Sequence, residues 1–293
     1  MQKTAKILCV LMVGLLAGCA TAPVNHTADD APHAAPLARV IAKRPVIGLV
    51  LGAGGSRGFA HIGVLKAFER AGIEADLLVG VSSGAVVAAL HAGGLRADAL
   101  EAEALAVQDN DLLDFTLFGP GFIEGERLQD YINHQLRNRP IESLRKPFAV
   151  VAAERLTRRM TVFNRGNTGL AVRASASVPR MFWPVIIRGV EYVDGGIASR
   201  APVSVARDMG ADIVVAVDVS WNGSADAQQA DVVIRPQTVR TRITDFSHKQ
   251  ENLAAGEAAA QAVVPRLKEL LARAAAEKNR TAEAAARVAV RAR

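Results

Sequence analysis

Val46-Ile47-Gly48-Leu49-Val50-Leu51-Gly52-Ala53-Gly54-Gly55-Ser56-Arg57-Gly58 is the stretch whose reading decides the fold. Its first six residues carry no charge and no polar side chain. A continuous apolar run of that length reads as a strand buried on both faces, as in a parallel sheet. The next seven residues include four glycines, which predicts a tight turn. A helix is expected from Phe59 to about Arg70, closed by Gly72.

Downstream the alternation repeats. Leu77-Leu78-Val79 predicts a short strand, and Ser83 to His91 a helix of small residues ended by Gly93-Gly94. Helices are expected at about 97–108 and 125–138. Phe148–Ala152 and Met160–Phe163 read as a strand pair, and Val185–Ile187 with Val190–Val193 as a hairpin around Arg188-Gly189. Ile213–Val217 and Val232–Ile234 are late strands, and an Ala-rich helix begins near Leu253. Strands alternating with helices predict a three-layer α/β/α fold with a mostly parallel central sheet.

The N-terminus reads as an address. Lys3 and Lys6 precede an apolar run, Ile7 to Leu16, that is short for a bilayer span. Leu16-Ala17-Gly18-Cys19 follows, which resembles the lipobox of bacterial lipoproteins, where the cysteine is acylated. The expected organisation is a signal peptide at 1–18, a tether at 19–44, a catalytic domain at 45–262 and a basic Ala-rich helix at 263–293. With Ala20 after the cysteine, the resemblance implies a lipid-anchored protein of the bacterial cell envelope, at the outer membrane and facing the periplasm. The other reading is an ordinary signal peptide with an incidental Cys19.

The only cysteines are Cys9, inside the leader, and Cys19. Disulfides, a Cys-ligated zinc and a catalytic cysteine are therefore excluded from the mature body. The formal net charge is +6 with 22% charged residues. Much of the excess lies between Arg266 and Arg293. That segment reads as a solvated helix face or as a contact for anionic lipid head groups; a nucleic-acid partner is not expected.

Two segments have the form Gly-x-Ser-x-Gly after a strand and before a helix: Gly54–Gly58 around Ser56, and Gly80–Gly84 around Ser82. This is the context of a nucleophile elbow. The first is rich enough in glycine to offer several N–H groups to one developing anion. The second is a single sharp turn leading into small residues, and Ser82 is the preferred nucleophile. For a base, a Ser-His-Asp arrangement would draw on His248, in the polar stretch Ser247–Gln250. The alternative is Asp194, at the end of a strand-like run and before Gly195-Gly196. The same Asp-Gly pair also has a plain reading as turn chemistry.

Taken together, the loop Gly54-Gly55-Ser56-Arg57-Gly58, the elbow at Ser82 and the Asp194-Gly195-Gly196 turn resemble the patatin-like phospholipase family. Ala174–Pro179 and Gly121–Gly125 resemble it too, over roughly residues 46–260. The resemblance implies a serine acyl hydrolase of phospholipase A or lysophospholipase type, with a lipid substrate, a Ser82–Asp194 dyad and no histidine, metal or cofactor. It implies an oxyanion hole from Gly54, Gly55, Ser56, Arg57 and Gly58, with Arg57 fixing the loop or meeting a lipid phosphate. One departure is Ala153-Glu154-Arg155-Leu156, where relatives often have Thr-Asp-Leu. Three other readings stay open at this point. They are an esterase or thioesterase on smaller acyl groups, a lipid-binding envelope lipoprotein without turnover, and a dinucleotide loop built on Gly52, Gly54 and Asp76. In the last, Arg57 stands where the third glycine belongs.

Overall fold

A computed structural model describes residues 22–117 and 119–291. The expected leader and the lipidation candidate Cys19 lie outside the described residues.

In chain order the main elements are β1 (Asn25–His26), β2 (Ile47–Leu51), α1 (Phe59–Arg70), β3 (Leu77–Val81), α2 (Ser83–Ala92), α3 (Ala97–Ala106), α4 (Asp109–Leu112) and α5 (Glu126–Gln135). They continue with β4 (Phe148–Glu154), β5 (Met160–Phe163), α6 (Thr168–Ala176), β6 (Val185–Ile187), β7 (Val190–Asp194), α7 (Val203–Asp208), β8 (Ile213–Val217), β9 (Val232–Ile234) and α8 (Lys249–Arg291). The strands form one sheet in the order β1-β6-β7-β4-β3-β2-β8-β9, with β5 added on β4. The central β4-β3-β2-β8-β9 pairings are parallel, while β5 and β7 run antiparallel to β4.

Strand periodicity sorts the apolar residues onto two faces. Ile47, Leu49 and Leu51 of β2 join one core with Ile213, Val215 and Val217 of β8. Val50, Val214 and Ala216 point into the other. The first face is covered by α1, α2, α3, α5, α6 and α8. The second is covered more thinly, by α7 and by irregular chain that includes Leu37, Val40 and Ala42.

That last contact departs from the expected tether. Asn25–His26 pairs with β6, Ala31 is buried, and Ala35 exchanges two hydrogen bonds with the Asn164 side chain. Apart from β1, residues 22–44 lie along the domain surface without regular structure and so lack a hydrophobic period, satisfying backbone groups against the domain. The C-terminal boundary also shifts. One helix, α8, runs unbroken through position 262, and its Leu253, Ala260 and Leu267 sit in the main core. Its α1 contact is glycine-mediated: a Cβ at Gly63 would strike Leu253 O, and one at Gly256 would strike Ala60 O.

Helix α6 was absent from the expected elements. Small and polar residues dominate it, and every one of its side chains is buried, so no polar face gives it an amphipathic signature.

Candidate active site

Parallel pairing of β2 with β3 sets Leu51 beside Gly80. The loops leaving both strands therefore emerge together at the carboxyl edge of the sheet, where open α/β folds build their sites. β4 lies on the other side of β3 and carries β7 in turn. Val81 is level with Val151, and the next residue, Ala152, is level with Asp194. The register thus brings the residue after Val81 and the last residue of β7 to one place, from positions far apart in the chain.

Ser82 occupies φ 54°, ψ −126° between β3 and α2. A non-glycine residue there is strained by about 1–3 kcal/mol, held by its surroundings. The flanking glycines show how tightly. A Cβ at Gly80 would lie 2.5 Å from Ala85 Cα, and one at Gly84 would strike Leu51 O. The Ser82 N–H donates to Ser175 Oγ at 2.8 Å, and Ser175 Oγ donates on to Val151 O at 2.6 Å.

Asp194 ends β7 and caps a short 3-10 turn. Its carboxyl accepts a hydrogen bond from Gly196 N–H at 2.8 Å, and the Ser82 side chain lies near enough to favour its ionised form. Its own N–H donates to Ser177 O at 2.8 Å. A Cβ at Gly195 would strike Val151 O, which explains the first glycine of the turn. Ser82 is 5% exposed and Asp194 7%. Burial raises the Asp194 pKa to about 6, against the opposing effects of Ser82, Gly196 and Arg200. A carboxyl tuned to that range is poised to exchange a proton near neutral pH.

The glycine-rich loop differs in part from the five-residue cradle expected for it. Ser56 N–H is committed to Ile243 O at 2.8 Å and Arg57 N–H to Gly54 O at 3.3 Å, so neither is available to a developing oxyanion. Gly55, at φ +58°, and Gly58 reach the cavity wall beside Ser82. Arg57 is buried; its Nε donates to Val219 O at 2.7 Å and its guanidinium lies 5.1 Å from the Trp221 ring centre. Its role is to pin the loop. Burial, then Arg200, lowers its pKa to about 10.

Ser82 opens onto an apolar cavity whose empty volume, counted out into open solvent, is about 970 Å³. Its walls come from α1, α2, α3, α5 and the segments 176–182 and 243–246, among them Val86, Leu90, Leu100, Leu128, Phe182 and Phe246. These wall residues read in sequence only as ordinary core. Among them the polar pair Tyr131 and Glu103 is the exception, and burial, then Glu103, raises the Tyr131 pKa to about 12.

The structure separates the other candidates from this centre. His248 is part-exposed and faces Glu251. His61 is fully buried, its Nε2 2.9 Å from Gly52 O, and burial lowers its pKa to about 4, so it is neutral. Asp76 is bound to Arg44 and to the Ile47 N–H, a structural role that leaves no ribose partner. Glu154 pairs with Thr157 and Arg159 on an exposed turn, so the departure at 153–156 lies away from the cavity. Among the described residues no cluster of His, Cys, Asp and Glu could hold a metal ion, and no helix is long and apolar enough to cross a membrane. Ser175 and Ser177 are the residues the sequence reading missed; the run Ala174–Pro179 marked them without giving their role.

A parallel α/β sheet with a strained serine at one strand end and a buried carboxyl two strands away defines a patatin-like architecture. The profile of the patatin-like phospholipase family matches residues 49–207, and the chain belongs to that family. It is 32% identical over 190 residues to an uncharacterised NTE family protein of Mycobacterium tuberculosis, covering 64% of this chain and 52% of the relative. It is 33% identical over 210 residues to patatin-like phospholipase domain-containing protein 6 of Mus musculus, covering 69% and 15%. The chain thus spans about half the length, or less, of these curated relatives. Among solved structures, VipD from Legionella pneumophila matches with a TM-score of 0.56 at 12% identity, over 77% of this chain and 67% of that one. ExoU from Pseudomonas aeruginosa, in its complex with SpcU, matches with a TM-score of 0.50 at 15% identity, over 80% and 53%. At such identities the likeness speaks to the fold.

Proposed function

We propose that this protein is a serine acyl hydrolase of phospholipase A or lysophospholipase type, cleaving lipid carboxylic esters through Ser82 and Asp194. The observation that carries the reading is the Ser82 side chain beside a buried Asp194 carboxyl, near enough to favour its ionised form, at the wall of an apolar cavity. Asp194 takes the hydroxyl proton as Oγ attacks the ester carbonyl. Main-chain N–H groups of the Gly54-Gly55 turn face the oxyanion, and the positive end of α2 adds to the field. The tetrahedral intermediate collapses, Asp194 returns the proton to the departing alcohol, and an acyl-enzyme remains. Water, deprotonated by Asp194, then attacks the acyl carbonyl. The fatty acid leaves and Ser82 regains its proton.

The cavity favours a lipid over a small acyl group, since apolar walls of this extent suit a hydrocarbon chain. The anchored, envelope-facing location rests on the Leu16–Cys19 run alone.

Labelling with a fluorophosphonate, followed by mapping of the modified peptide, tests the nucleophile. Modification at Ser82, and loss of phospholipid hydrolysis by on the order of 10³-fold or more in Ser82→Ala, is the expected result. Full activity in Ser82→Ala with an inactive Ser56→Ala would reverse the assignment. His248→Ala should be silent.

A further inference from the structure

Residues 115–117 and 119–123 belong to a finger that the proposed chemistry does not use. Phe115 and Ile123 pair across its base, and Thr116 N–H donates to Phe122 O at 2.8 Å. Phe122 and Ile123 N–H groups both donate to Met181 O, at 2.8 and 2.9 Å, and the Trp183 indole N–H donates to Gly121 O at 3.1 Å. Gly119, at φ +111°, lies so close to the Trp183 ring that a Cβ would collide with it. The finger is therefore firmly rooted. Yet it holds three large apolar side chains out of the protein: Phe115 is 64% exposed, Leu117 93% and Phe122 68%. Such a cluster on a well-bonded hairpin is costly in water and marks a contact surface.

Three features say what the surface meets. First, the root of the finger is also a wall of the cavity. Leu113, Ile123 and Phe182 form one cluster with Phe246, and Leu113, Phe182 and Phe246 line the space in front of Ser82. Second, the exposed charges near the finger are of both signs: Arg127 and Arg180 on one hand, Asp111, Glu126 and Asp130 on the other. The apolar side chains, and not a basic patch, therefore choose the partner, which suits a zwitterionic lipid surface. Third, the chain enters the domain from the same side. β1 runs parallel to β6 with Asn25 opposite Ile186. Followed back toward residue 22, it heads for the Trp183 end of β6, where Trp183 N–H is bonded to Ile123 O at 2.8 Å. The described chain therefore begins on the finger side.

We infer that the finger Phe115-Leu117-Phe122 is the docking surface of the domain for a phospholipid bilayer, setting the mouth of the acyl cavity against the lipid. The choice of a lipid partner rests on the acyl-hydrolase reading of the cavity; acylation of Cys19 is not required. Apolar side chains inserted at the interface hold a peripheral protein on a bilayer.

The test uses the full chain carrying Ser82→Ala, so that bound vesicles stay intact, floated with phosphatidylcholine vesicles. Leu117→Asp is the first variant, because a side chain so exposed contributes nothing to folding. Phe115→Ser with Phe122→Ser is the second. Each should weaken vesicle binding by roughly tenfold or more, the loss expected when a large apolar side chain no longer leaves water. In the active chain, Leu117→Asp should lower hydrolysis of vesicular phospholipid by a similar factor. Turnover of dissolved p-nitrophenyl butyrate should stay within about twofold of the parent. Unchanged flotation in both variants overturns the proposal. A shift from dimer to monomer on sedimentation would then assign the finger to a second copy, and a crosslink from position 117 to residues 1–21 would assign it to the chain's own leader. If the parent hydrolyses no ester at all, the acyl-hydrolase reading falls and the flotation result still decides the docking.

Discussion

The main-chain N–H of Ser82 donates to the side-chain oxygen of Ser175 at 2.8 Å. Two residues on, Ser177 accepts the N–H of Asp194 through its carbonyl, also at 2.8 Å. The end of α6 thus holds both residues of the proposed dyad, one through a hydroxyl and one through a peptide group. Ser175 does not line the cavity and reaches Ser82 through its main chain, so its proposed role is positioning.

Removing that hydroxyl leaves a strained, buried N–H without a partner, at a cost of about 1–3 kcal/mol. Ser175→Ala should lower kcat by roughly 10- to 100-fold, as small misplacements of a nucleophile do, with little change in KM for a short-chain ester. Ser175→Thr keeps the hydroxyl and should recover much of the loss. Steady-state kinetics on both variants reads the split between kcat and KM, and equal kcat in Ala and wild type would remove Ser175 from this role.

With its pKa raised to about 6, Asp194 can serve as the proposed base only when ionised. Hydrolysis should rise with pH along a single ionisation near 6. The stability effect has the opposite sense. Between the ordinary value of 3.8 and about 6, the folded state binds more protons than the unfolded one, so stability falls as pH rises through that window. The cost reaches about 3 kcal/mol above it. Asp194→Asn should therefore be inactive and yet unfold at higher temperature than wild type at pH 7. The two should converge below pH 4, where both carry an uncharged side chain. Calorimetry at the two pH values measures this directly.

The crossing of α1 and α8 predicts that the C-terminal helix is part of the domain and not an appendage. Gly256→Ala forces a methyl group into Ala60 O. Overpacking of this kind costs about 1–3 kcal/mol. Urea unfolding should show a lower midpoint with an unchanged slope. A midpoint equal to wild type would mean the helices do not meet as closely as described.

Much of this architecture was open to reading from the residues. The two strand–glycine–helix units at 46–70 and 77–92 announced a parallel sheet because an unbroken apolar run is compatible with burial on both faces. Ser82 and Asp194 were nameable because glycines mark the places where the backbone approaches other atoms too closely for a side chain, as at Gly80, Gly84 and Gly195. The segment 22–44 misled because its hydrogen bonds are made to distant residues such as Asn164, and no local period records them.

From its own order of residues, then, this protein determined its strands, its sharp turns and the identities of a hydroxyl and a carboxyl able to react. Such features are local, written in runs and spacings that neighbouring residues share. Only the tertiary structure decided that Val81 and Asp194 sit one residue apart in register on either side of β4, that Ser175 braces the elbow, that Ser56 spends its amide on Ile243 and Arg57 on Gly54, and that a finger stands beside the cavity. Those are outcomes of strand register and of packing between elements far apart in the chain, and no short window of sequence contains both partners.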